Sequence, residues 1–301
     1  MASPAREKER LKADGVLIAM TAVWGLSFVV VKDALELADP FSWLALRFLV
    51  GAVALTFVAR RLGGPVNLGA GLGLGVMLWL GFALQTTGLR YSTPSRSAFI
   101  TGLFVVLTPL TSTVILRRLP RPASLLGVAL AFAGTYWLTG VEPGSGGPPS
   151  SATIKGDLLT LGCALAYALH LSLTEKYAVG SAPASLVAVQ LWVTCGLSAL
   201  AIPFSTPHLQ PSAGLLVALL FTGLVASALG VTAQTWAQAR TTAVRAALVI
   251  ASEPLFATAY SVAGGRERLG AREIAGGALI LAGVLVAEVG GLLWRRPALR
   301  G

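Results

Sequence analysis

The sequence predicts an all-α membrane protein with ten transmembrane helices, arranged as a 5+5 inverted-topology repeat. Of its 301 residues, 55% are hydrophobic and only 12% are charged, whereas a soluble chain of this length needs far more surface charge. Two stretches about 149 residues apart, Gly81 to Ala98 and Gly230 to Ala247, match at six of eighteen positions without a gap. A membrane chain made of two related halves is typical of carriers.

The matched positions include polar residues that a shared apolar composition does not explain. They are Gln85/Gln234, Thr86/Thr235, Thr93/Thr242 and Arg96/Arg245. The same shift also matches glycines near the end of each half, at Gly127/Gly276 and Gly134/Gly283. These pairs indicate a duplication.

Ten segments are apolar over roughly the 20 residues that a membrane helix needs. In chain order they are residues 15–36, 41–59, 68–89, 94–116, 122–140, 156–175, 183–202, 212–236, 242–264 and 271–293. The stretch 141–155 is rich in Gly, Pro and Ser, which is the composition of a flexible linker. The predicted organisation is a tail at 1–14, a first repeat at 15–140, the linker at 141–155, a second repeat at 156–293 and a tail at 294–301.

The distribution of basic residues predicts the direction of the spans. With a cytoplasmic amino terminus, 14 Lys and Arg residues fall on the cytoplasmic side and five on the other, with Arg266, Arg268 and Arg272 as the discordant group. We therefore expect both termini in the cytoplasm and the chain in the cell inner (plasma) membrane. Because five spans per half is an odd number, the second half must enter from the opposite face, which makes the repeat inverted and favours alternating access.

Other functional classes find little support in the composition. The formal net charge of +10 comes from scattered basic residues, so no nucleic-acid partner is expected. Cys163 and Cys195 lie in apolar segments without a metal or disulfide pattern, and none of the five lysines follows a glycine as in a phosphate-cradling loop. We expect no metal, no cofactor, no enzyme activity and no ATP-driven pump.

Several motifs then resemble one family. In the first half they are Val23-Trp-Gly-Leu-Ser-Phe28 with Lys32, Ala45-Leu-Arg-Phe48, and Thr93 to Phe99 with Leu107-Thr-Pro109. In the second half they are Glu253-Pro-Leu-Phe-Ala257, Gly265 to Leu269 and Gly276 to Gly283. Together they resemble EamA-type transporters of the drug/metabolite transporter superfamily, although Arg266 is an extra residue and Tyr167 stands where the family often has Trp. The resemblance implies export of small metabolites or drug-like compounds through a cavity between the halves.

Polar and aromatic residues inside the spans are the candidates for substrate binding, because polar groups at membrane depth are costly and mark functional sites. The predicted substrate-binding residues are Trp24, Ser27, Gln85, Arg96, Phe99, Tyr167, His170, Gln234 and Arg245. Alternatives stay open: the arginines could snorkel towards the interface, the glutamines could join helices, and the aromatic residues and His170 could be packing residues.

Glu253 and Arg47 are the predicted coupling residues. Glu253 is the only carboxylate placed well inside a span, where desolvation favours the protonated form, so it could carry a proton. In the other half we expect a threonine or valine at its position. Arg47 corresponds to the neutral Gln190. A structural ion pair of Glu253 with Arg47 or Arg245 is the competing interpretation, and Pro254 is expected to kink its helix.

The sequence therefore predicts a secondary transporter that exports a small organic metabolite, such as an amino acid, an amine or a drug-like solute, by alternating access. A passive uniporter or channel-like facilitator is the first alternative, and an intramembrane lipid-modifying enzyme is the second. The expected partners are the small-molecule substrate, membrane lipids and protons as a coupling ion, with the chain a monomer or a homodimer.

Overall fold

The computed structural model describes residues 4–117, 122–139 and 150–293, and within these ranges the chain is helical apart from its turns and one isolated bridge between Ala38 and Leu209. In chain order the helices are α1 (Pro4–Ala34), α2 (Pro40–Leu62), α3 (Leu68–Leu89), α4 (Pro94–Thr101), α5 (Phe104–Leu116), α6 (Pro122–Thr139), α7 (Ser151–Tyr177), α8 (Pro183–Ala201), α9 (Ala213–Leu220), α10 (Gly230–Gln238), α11 (Ala243–Ile250), α12 (Glu253–Ala263) and α13 (Ala271–Leu293). A π-helical segment, Phe221–Leu229, joins α9 to α10, and a short 3₁₀ turn, Ile202–Phe204, follows α8.

Among the described residues, seven helical stretches are long and apolar enough to cross a membrane. They are Leu11–Ala34, Pro40–Leu62, Leu68–Leu89, Pro94–Leu116, Ser151–Tyr177, Pro183–Phe204 and Ala213–Gln238. A shorter apolar stretch, Ile274–Gly283, lies in α13. The helix α1 already begins at Pro4, inside the predicted tail, and α7 begins at Ser151, inside the predicted linker. Most of that linker and the carboxyl-terminal tail lie outside the described residues.

Two threonines at matched positions cap the amino termini of equivalent helices, α4 and α11, in the two halves. The Thr93 hydroxyl accepts a hydrogen bond from the Arg96 backbone nitrogen at 3.3 Å, and the Thr242 hydroxyl accepts one from the Arg245 nitrogen at 3.2 Å. Threonine at this position satisfies an amide that the first helical turn leaves without a partner. The sequence matches Thr93/Thr242 thus correspond to the beginnings of α4 and α11.

The α1–α2 turn is held by the buried carboxylate of Asp39. Its Oδ1 accepts hydrogen bonds from the backbone nitrogens of Phe41 and Ser42 and from the Ser205 hydroxyl, while the His208 nitrogen donates to Oδ2. Burial raises the pKa of Asp39, but these hydrogen bonds to the charged form outweigh burial and leave the pKa lowered. The turn is therefore tied to the segment that leads into α9.

The fourth and ninth predicted spans are each broken into two helices. The breaks lie at Gly102 and Leu103 between α4 and α5, and at Ala251 and Ser252 between α11 and α12. We expected continuous spans kinked at their prolines. Only Pro254 lies at a break, where it lacks the N–H that would bond to the preceding turn. The breaks are 149 positions apart, as are the matched polar pairs, so the alignment without a gap is the structural one.

The helix α6 packs along α13 through glycines that occupy matching positions. A Cβ on Gly134 would stand 2.8 Å from the Gly276 carbonyl oxygen, and a Cβ on Gly283 would stand 2.7 Å from the Gly127 carbonyl oxygen. Both distances are shorter than any real Cβ contact, so glycine is needed at both positions. The two contacts are reciprocal, because the matched pair Gly134/Gly283 supplies the two crowded glycines and the matched pair Gly127/Gly276 supplies the two carbonyls.

The helices α1 and α7 run in opposite directions. Lys32 in the last turn of α1 binds carbonyls at the end of α3 and just after it, close to the start of α4. In α4, Arg96 pairs with Asp157, which lies in the second turn of α7. Asp14 lies about 27 Å from Lys32 along α1 at 1.5 Å per residue. It pairs with Arg245 near the end of α7. We call these two ends of the molecule the Lys32 end and the Asp14 end.

Candidate functional site

A cavity lies between the helices in the middle of the molecule. The volume of this cavity is about 70 Å³. The lining comes from both halves: Trp24, Ser27, Phe28, Arg47, Leu78, Phe82, Gln85, Phe104, Tyr167, His170, Leu171, Val231, Gln234, Ile250 and Glu253. The wall is thus largely apolar and aromatic with a few polar groups, which is typical of small-molecule sites.

The cavity brings together most of the candidate residues from the sequence. Its wall includes eight of the eleven, namely Trp24, Ser27, Gln85, Tyr167, His170 and Gln234 of the predicted binding set and both predicted coupling residues, Glu253 and Arg47. The remaining three, Arg96, Phe99 and Arg245, are not among the lining residues. Their places in the structure show why.

Arg96 and Arg245 lie at opposite ends of the molecule in ion pairs. Arg96 donates from Nη2 and Nε to both carboxylate oxygens of Asp157 at 2.6 and 2.9 Å, and Arg245 makes the same two-pronged contact with Asp14 at 2.6 and 3.2 Å. Each pair joins one half of the sequence to the other. Phe99 is buried elsewhere, with its ring against Gly277 of α13.

Trp24 and Tyr167, which lie 143 positions apart as Arg47 and Gln190 do, make equivalent contacts between the two halves. The ring of Tyr167 in α7 lies on Gly81 of α3, where an added Cβ would stand 2.2 Å from ring carbon Cε1. The indole of Trp24 in α1 lies on Gly230, with Nε1 at 2.8 Å from the position of such a Cβ. Gly81 and Gly230 are themselves a matched pair, so each half receives an aromatic side chain from the other.

The matched glutamines have different partners. Gln85 accepts a hydrogen bond from the Tyr167 hydroxyl at 3.3 Å and donates to the Thr101 hydroxyl at 3.4 Å. Gln234 donates to the Gln238 side chain at 3.0 Å, one turn further along α10. The bonds of Gln85 connect α3 to α4 and α7, whereas the Gln234–Gln238 bond stays within α10. Both glutamines also line the cavity, so for Gln85 the two roles that the sequence left open coexist.

Arg47 is buried in the cavity wall, with 2% of its surface exposed. Its Nε donates to the hydroxyl of Ser227 at 2.9 Å, and its guanidinium carbon lies 4.6 Å from the ring centroid of Phe82 and 5.4 Å from that of Phe48. The Nη2 nitrogen has no hydrogen-bond partner. The structure has no ion pair between Arg47 and Glu253, so that alternative is not realised.

Glu253 opens α12 at the break of the ninth span. Its position in the first half is occupied by Phe104, which opens α5 and also lines the cavity. Our expectation of a threonine or valine there is wrong, because the helix breaks follow the alignment without a gap, which places Phe104 at that position. A carboxylate therefore stands opposite a phenyl ring at equivalent places in the two halves.

His170 and Gln190 form a buried pair. The His170 Nε2 atom lies 2.9 Å from the Gln190 side-chain oxygen, and both residues are at least 98% buried. Gln190 is the counterpart of Arg47, and His170 is the counterpart of Ser27. The position that holds a cation in the first half thus holds a neutral amide bonded to an imidazole in the second.

Sequence reasoning missed several residues of the site. Phe82 and Phe104 were indistinguishable from the many apolar residues of the spans, and Ser227 has meaning only through its bond to Arg47. The π-helical segment Phe221–Leu229, which carries Ser227, was also missed. The spacing of two glycines carries a signal for this segment. An added Cβ on Gly75 or on Gly223 would stand 2.7 or 3.0 Å from the Cβ of a valine, yet these glycines lie 148 positions apart, not 149.

Further contacts join neighbouring helices at each end of the molecule. At the Lys32 end, the Lys32 ammonium donates to the carbonyl oxygens of Leu89 and Ser92 at 2.8 Å each. At the Asp14 end, the Glu175 carboxylate accepts a hydrogen bond from the Ala243 backbone nitrogen at 2.8 Å. Lys32 and Glu175 lie 143 positions apart, the same shift as Arg47 and Gln190. The cation of Lys32 binds carbonyls at the end of α3 and the anion of Glu175 binds an amide at the start of α11, so each charge is favourable at its helix terminus.

Comparison with known proteins identifies the relatives of this chain. The model of the EamA-like transporter family matches twice, at residues 11–140 and at residues 154–288. A relative from Archaeoglobus fulgidus described as an uncharacterized transporter is 32% identical over 281 residues, which is 93% of this chain and 87% of that protein.

A more distant relative with a functional name and a solved structure also match this chain. An Escherichia coli protein named as a probable amino-acid metabolite efflux pump is 28% identical over 186 residues, or 60% of each chain. A crystal structure of a protein with 19% sequence identity matches with a TM-score of 0.71 over 95% of this chain and 99% of that chain. At this identity the likeness concerns the fold alone.

Proposed function

Because the chain belongs to the EamA-like transporter family, we propose that it is a secondary transporter that exports a small organic metabolite by alternating access. The chain is a multi-pass membrane protein and a transporter, not an enzyme. The observation that carries the proposed mechanism is the central cavity, where equivalent positions of the two halves meet beside two broken helices. Broken helices at a midline cavity are where carriers of this design bind their solutes.

We further propose that the chain crosses the membrane ten times as two inverted repeats. The opposite directions of α1 and α7 support this, as do the reciprocal glycine contacts of α6 and α13. The two-pronged pairs Arg96–Asp157 and Arg245–Asp14 also join equivalent residues at opposite ends. Two halves related in this way can exchange conformations, and this exchange opens the cavity first to one side and then to the other.

The size of the cavity supports a conformational change during transport. A volume of about 70 Å³ is below the roughly 300–1,000 Å³ of typical ligand sites, so we propose that the cavity widens before a solute enters. Contacts join neighbouring helices at both the Lys32 end and the Asp14 end. We propose that this arrangement is the closed intermediate between the two open forms.

The proposed topology follows the distribution of charge. We place both termini in the cytoplasm and the protein in the inner (plasma) membrane, with repeats at 15–140 and 156–293 joined by the linker 141–155. The Asp14 end is then cytoplasmic and the Lys32 end faces outwards. The name of the Escherichia coli relative, an efflux pump for amino-acid metabolites, supports export as the direction and an amino-acid-like solute as the cargo.

Glu253 is our proposed proton carrier. It lines the cavity, is 7% exposed, and has no ion-pair partner among the described residues. A buried carboxylate without a neighbouring charge keeps its proton and releases it when the opening cavity admits water, so the proton can move as the cavity changes sides. Arg47 lines the same wall and is the second proposed coupling residue.

Transport by the purified full-length chain in liposomes tests the proposal. Liposomes loaded with a mixture of unlabelled amino acids and amines should take up the labelled mixture faster than empty liposomes, and the uptake should saturate. Flux that does not saturate and carries ion conductance would instead identify a channel. A passive uniporter also shows counterflow, but it does not accumulate solute in response to an imposed pH gradient.

A further inference from the structure

The cavity contains two ionisable side chains of opposite charge that do not pair with each other. Arg47 and Glu253 both line its wall, and among the described residues neither has an ion-pair partner. By contrast, Arg96, Arg245 and Arg266 each hold an aspartate in a two-pronged contact. Arg47 is thus an arginine whose counter-charge is missing from the part of the chain that the structure describes.

The surroundings of Arg47 orient its guanidinium group. The Ser227 hydroxyl holds Nε, and the rings of Phe82 and Phe48 lie 4.6 and 5.4 Å from the guanidinium carbon, where they attract the cation without supplying a hydrogen-bond acceptor. The Nη2 nitrogen is buried and has no partner. A buried donor without an acceptor is unfavourable, so the site gains from any ligand that brings one.

Resting on the transport function proposed above, we infer that Arg47 binds the carboxylate of the transported solute. A guanidinium group presents parallel N–H donors that match the two oxygens of a carboxylate, and its affinity is highest where water is excluded. The solute is then a carboxylate-bearing metabolite whose charged head group lies at α2 and the π-helical segment.

The rest of the wall defines the body of the solute. Trp24, Phe28, Phe82, Phe104 and Tyr167 supply five aromatic rings, and the aliphatic members Leu78, Leu171, Val231 and Ile250 fill the space between them. Such a surface favours an apolar or aromatic body over a sugar or a polyphosphate. A single arginine also suits one carboxylate better than a doubly charged phosphate.

The second half provides a matched variant for this inference. Gln190 occupies the position of Arg47 and is tolerated there as a neutral amide, so Arg47→Gln places in the first half what the second half already holds. Ser227→Ala removes the hydrogen bond that orients Arg47 but leaves the charge. Arg47→Lys keeps the charge but not the pair of parallel donors.

Binding of four probes that share a phenyl ring tests the inference on the purified full-length chain. Phenylpropionate and phenylalanine carry a carboxylate, whereas phenylalaninamide and phenethylamine do not. Titrations followed by tryptophan fluorescence should show that the two carboxylates bind about tenfold or more tightly than the other two, the gain expected for hydrogen bonds to a charged group. Arg47→Gln should abolish this preference, and Ser227→Ala should reduce it.

The outcomes separate this inference from the proposed transport function. Equal binding of all four probes, no binding of any of them, or a carboxylate preference that survives in Arg47→Gln would overturn the role of Arg47. Counterflow of amines with no binding of carboxylates would do the same while leaving transport intact. A carboxylate preference that depends on Arg47, without any saturable counterflow, would support the binding site and contradict the carrier.

Discussion

Exchanging the two copies of the repeat has opposite consequences at two places, the contact between α6 and α13 and the wall of the central cavity. At α6 and α13, exchanging the copies leaves the contact almost unchanged, because glycine meets a backbone carbonyl on both sides. In the cavity the same exchange replaces Arg47 by Gln190 and Glu253 by Phe104. The copies have therefore stayed alike where they pack and have diverged in charge at the cavity.

The largest expected effect is on the copy-specific carboxylate. Glu253→Gln keeps the size of the side chain but cannot bind and release a proton, so dependence of transport on a pH gradient should disappear while solute exchange continues. Transport in liposomes with and without an imposed pH gradient measures this. Glu36→Gln, at an exposed carboxylate outside the cavity, is the control and should retain the dependence. Unchanged proton dependence in Glu253→Gln would remove that residue from coupling.

The next effect concerns the symmetric positions at the two ends. In a background without Cys163 and Cys195, Arg96→Cys and Arg245→Cys should react with a membrane-impermeant maleimide from opposite sides of the membrane, because they lie at opposite ends. Labelling of intact cells and of inverted vesicles measures this. Reaction of both cysteines from the same side would exclude the inverted arrangement.

The glycine contacts should give smaller and nearly equal effects. Gly134→Ala and Gly283→Ala each force a methyl group to within 2.7 Å of a backbone atom, and overpacking of this kind costs about 1–3 kcal/mol of stability. The apparent melting temperature in detergent should fall by a similar amount in both variants. Gly73→Ala, where no atom lies within 4 Å, is the control and should be neutral or stabilising. A large difference between the first two would contradict the reciprocal packing.

The smallest effects should come from the ion pairs, in an order set by exposure. The arginine side chain is 19% exposed in Arg96–Asp157, 39% in Arg245–Asp14 and 42% in Arg266–Asp33. Pairs near the surface contribute about 0.2–1 kcal/mol, and solvent screening lowers the value as exposure rises. Asp157→Asn should therefore lower the melting temperature most, then Asp14→Asn, and Asp33→Asn least. The reverse order would contradict solvent screening as the factor that sets the strength of these pairs.

The sequence alone could identify polar pairs that share one shift but not their partners. Arg96/Arg245 and Thr93/Thr242 stand out because both lie 149 positions apart. Their ion-pair partners Asp14 and Asp157 are 143 positions apart, the same shift as Arg47 and Gln190, so no alignment without a gap contains all four charged residues. The burial of Arg47 against Phe82 depends on how α2 and α3 pack, which no periodic pattern records.

The helix breaks show a different limit of sequence reasoning. A proline marks the break before α12 but not the break before α5, where Gly102 and Leu103 form the turn between two apolar helices. Local propensity therefore located only one of two equivalent breaks. The other depends on contacts such as the one between Gly102 and the Pro254 ring, where an added Cβ would stand 3.3 Å away.

The π-helical segment Phe221–Leu229 gives the second copy one residue more than the first in the corresponding stretch, as the spacing of Gly75/Gly223 against Gly81/Gly230 records. Two identical copies exchanging shapes would have resting states of equal free energy, open to either side half of the time. In the proposed alternating-access cycle, one surplus residue in a single helix contributes to lifting that degeneracy before any solute or proton binds. A difference of only about 1.4 kcal/mol would hold the empty protein open to one side ten times more often than to the other. A single turn of helix is thus one of the features that set the side to which the empty protein opens in that cycle.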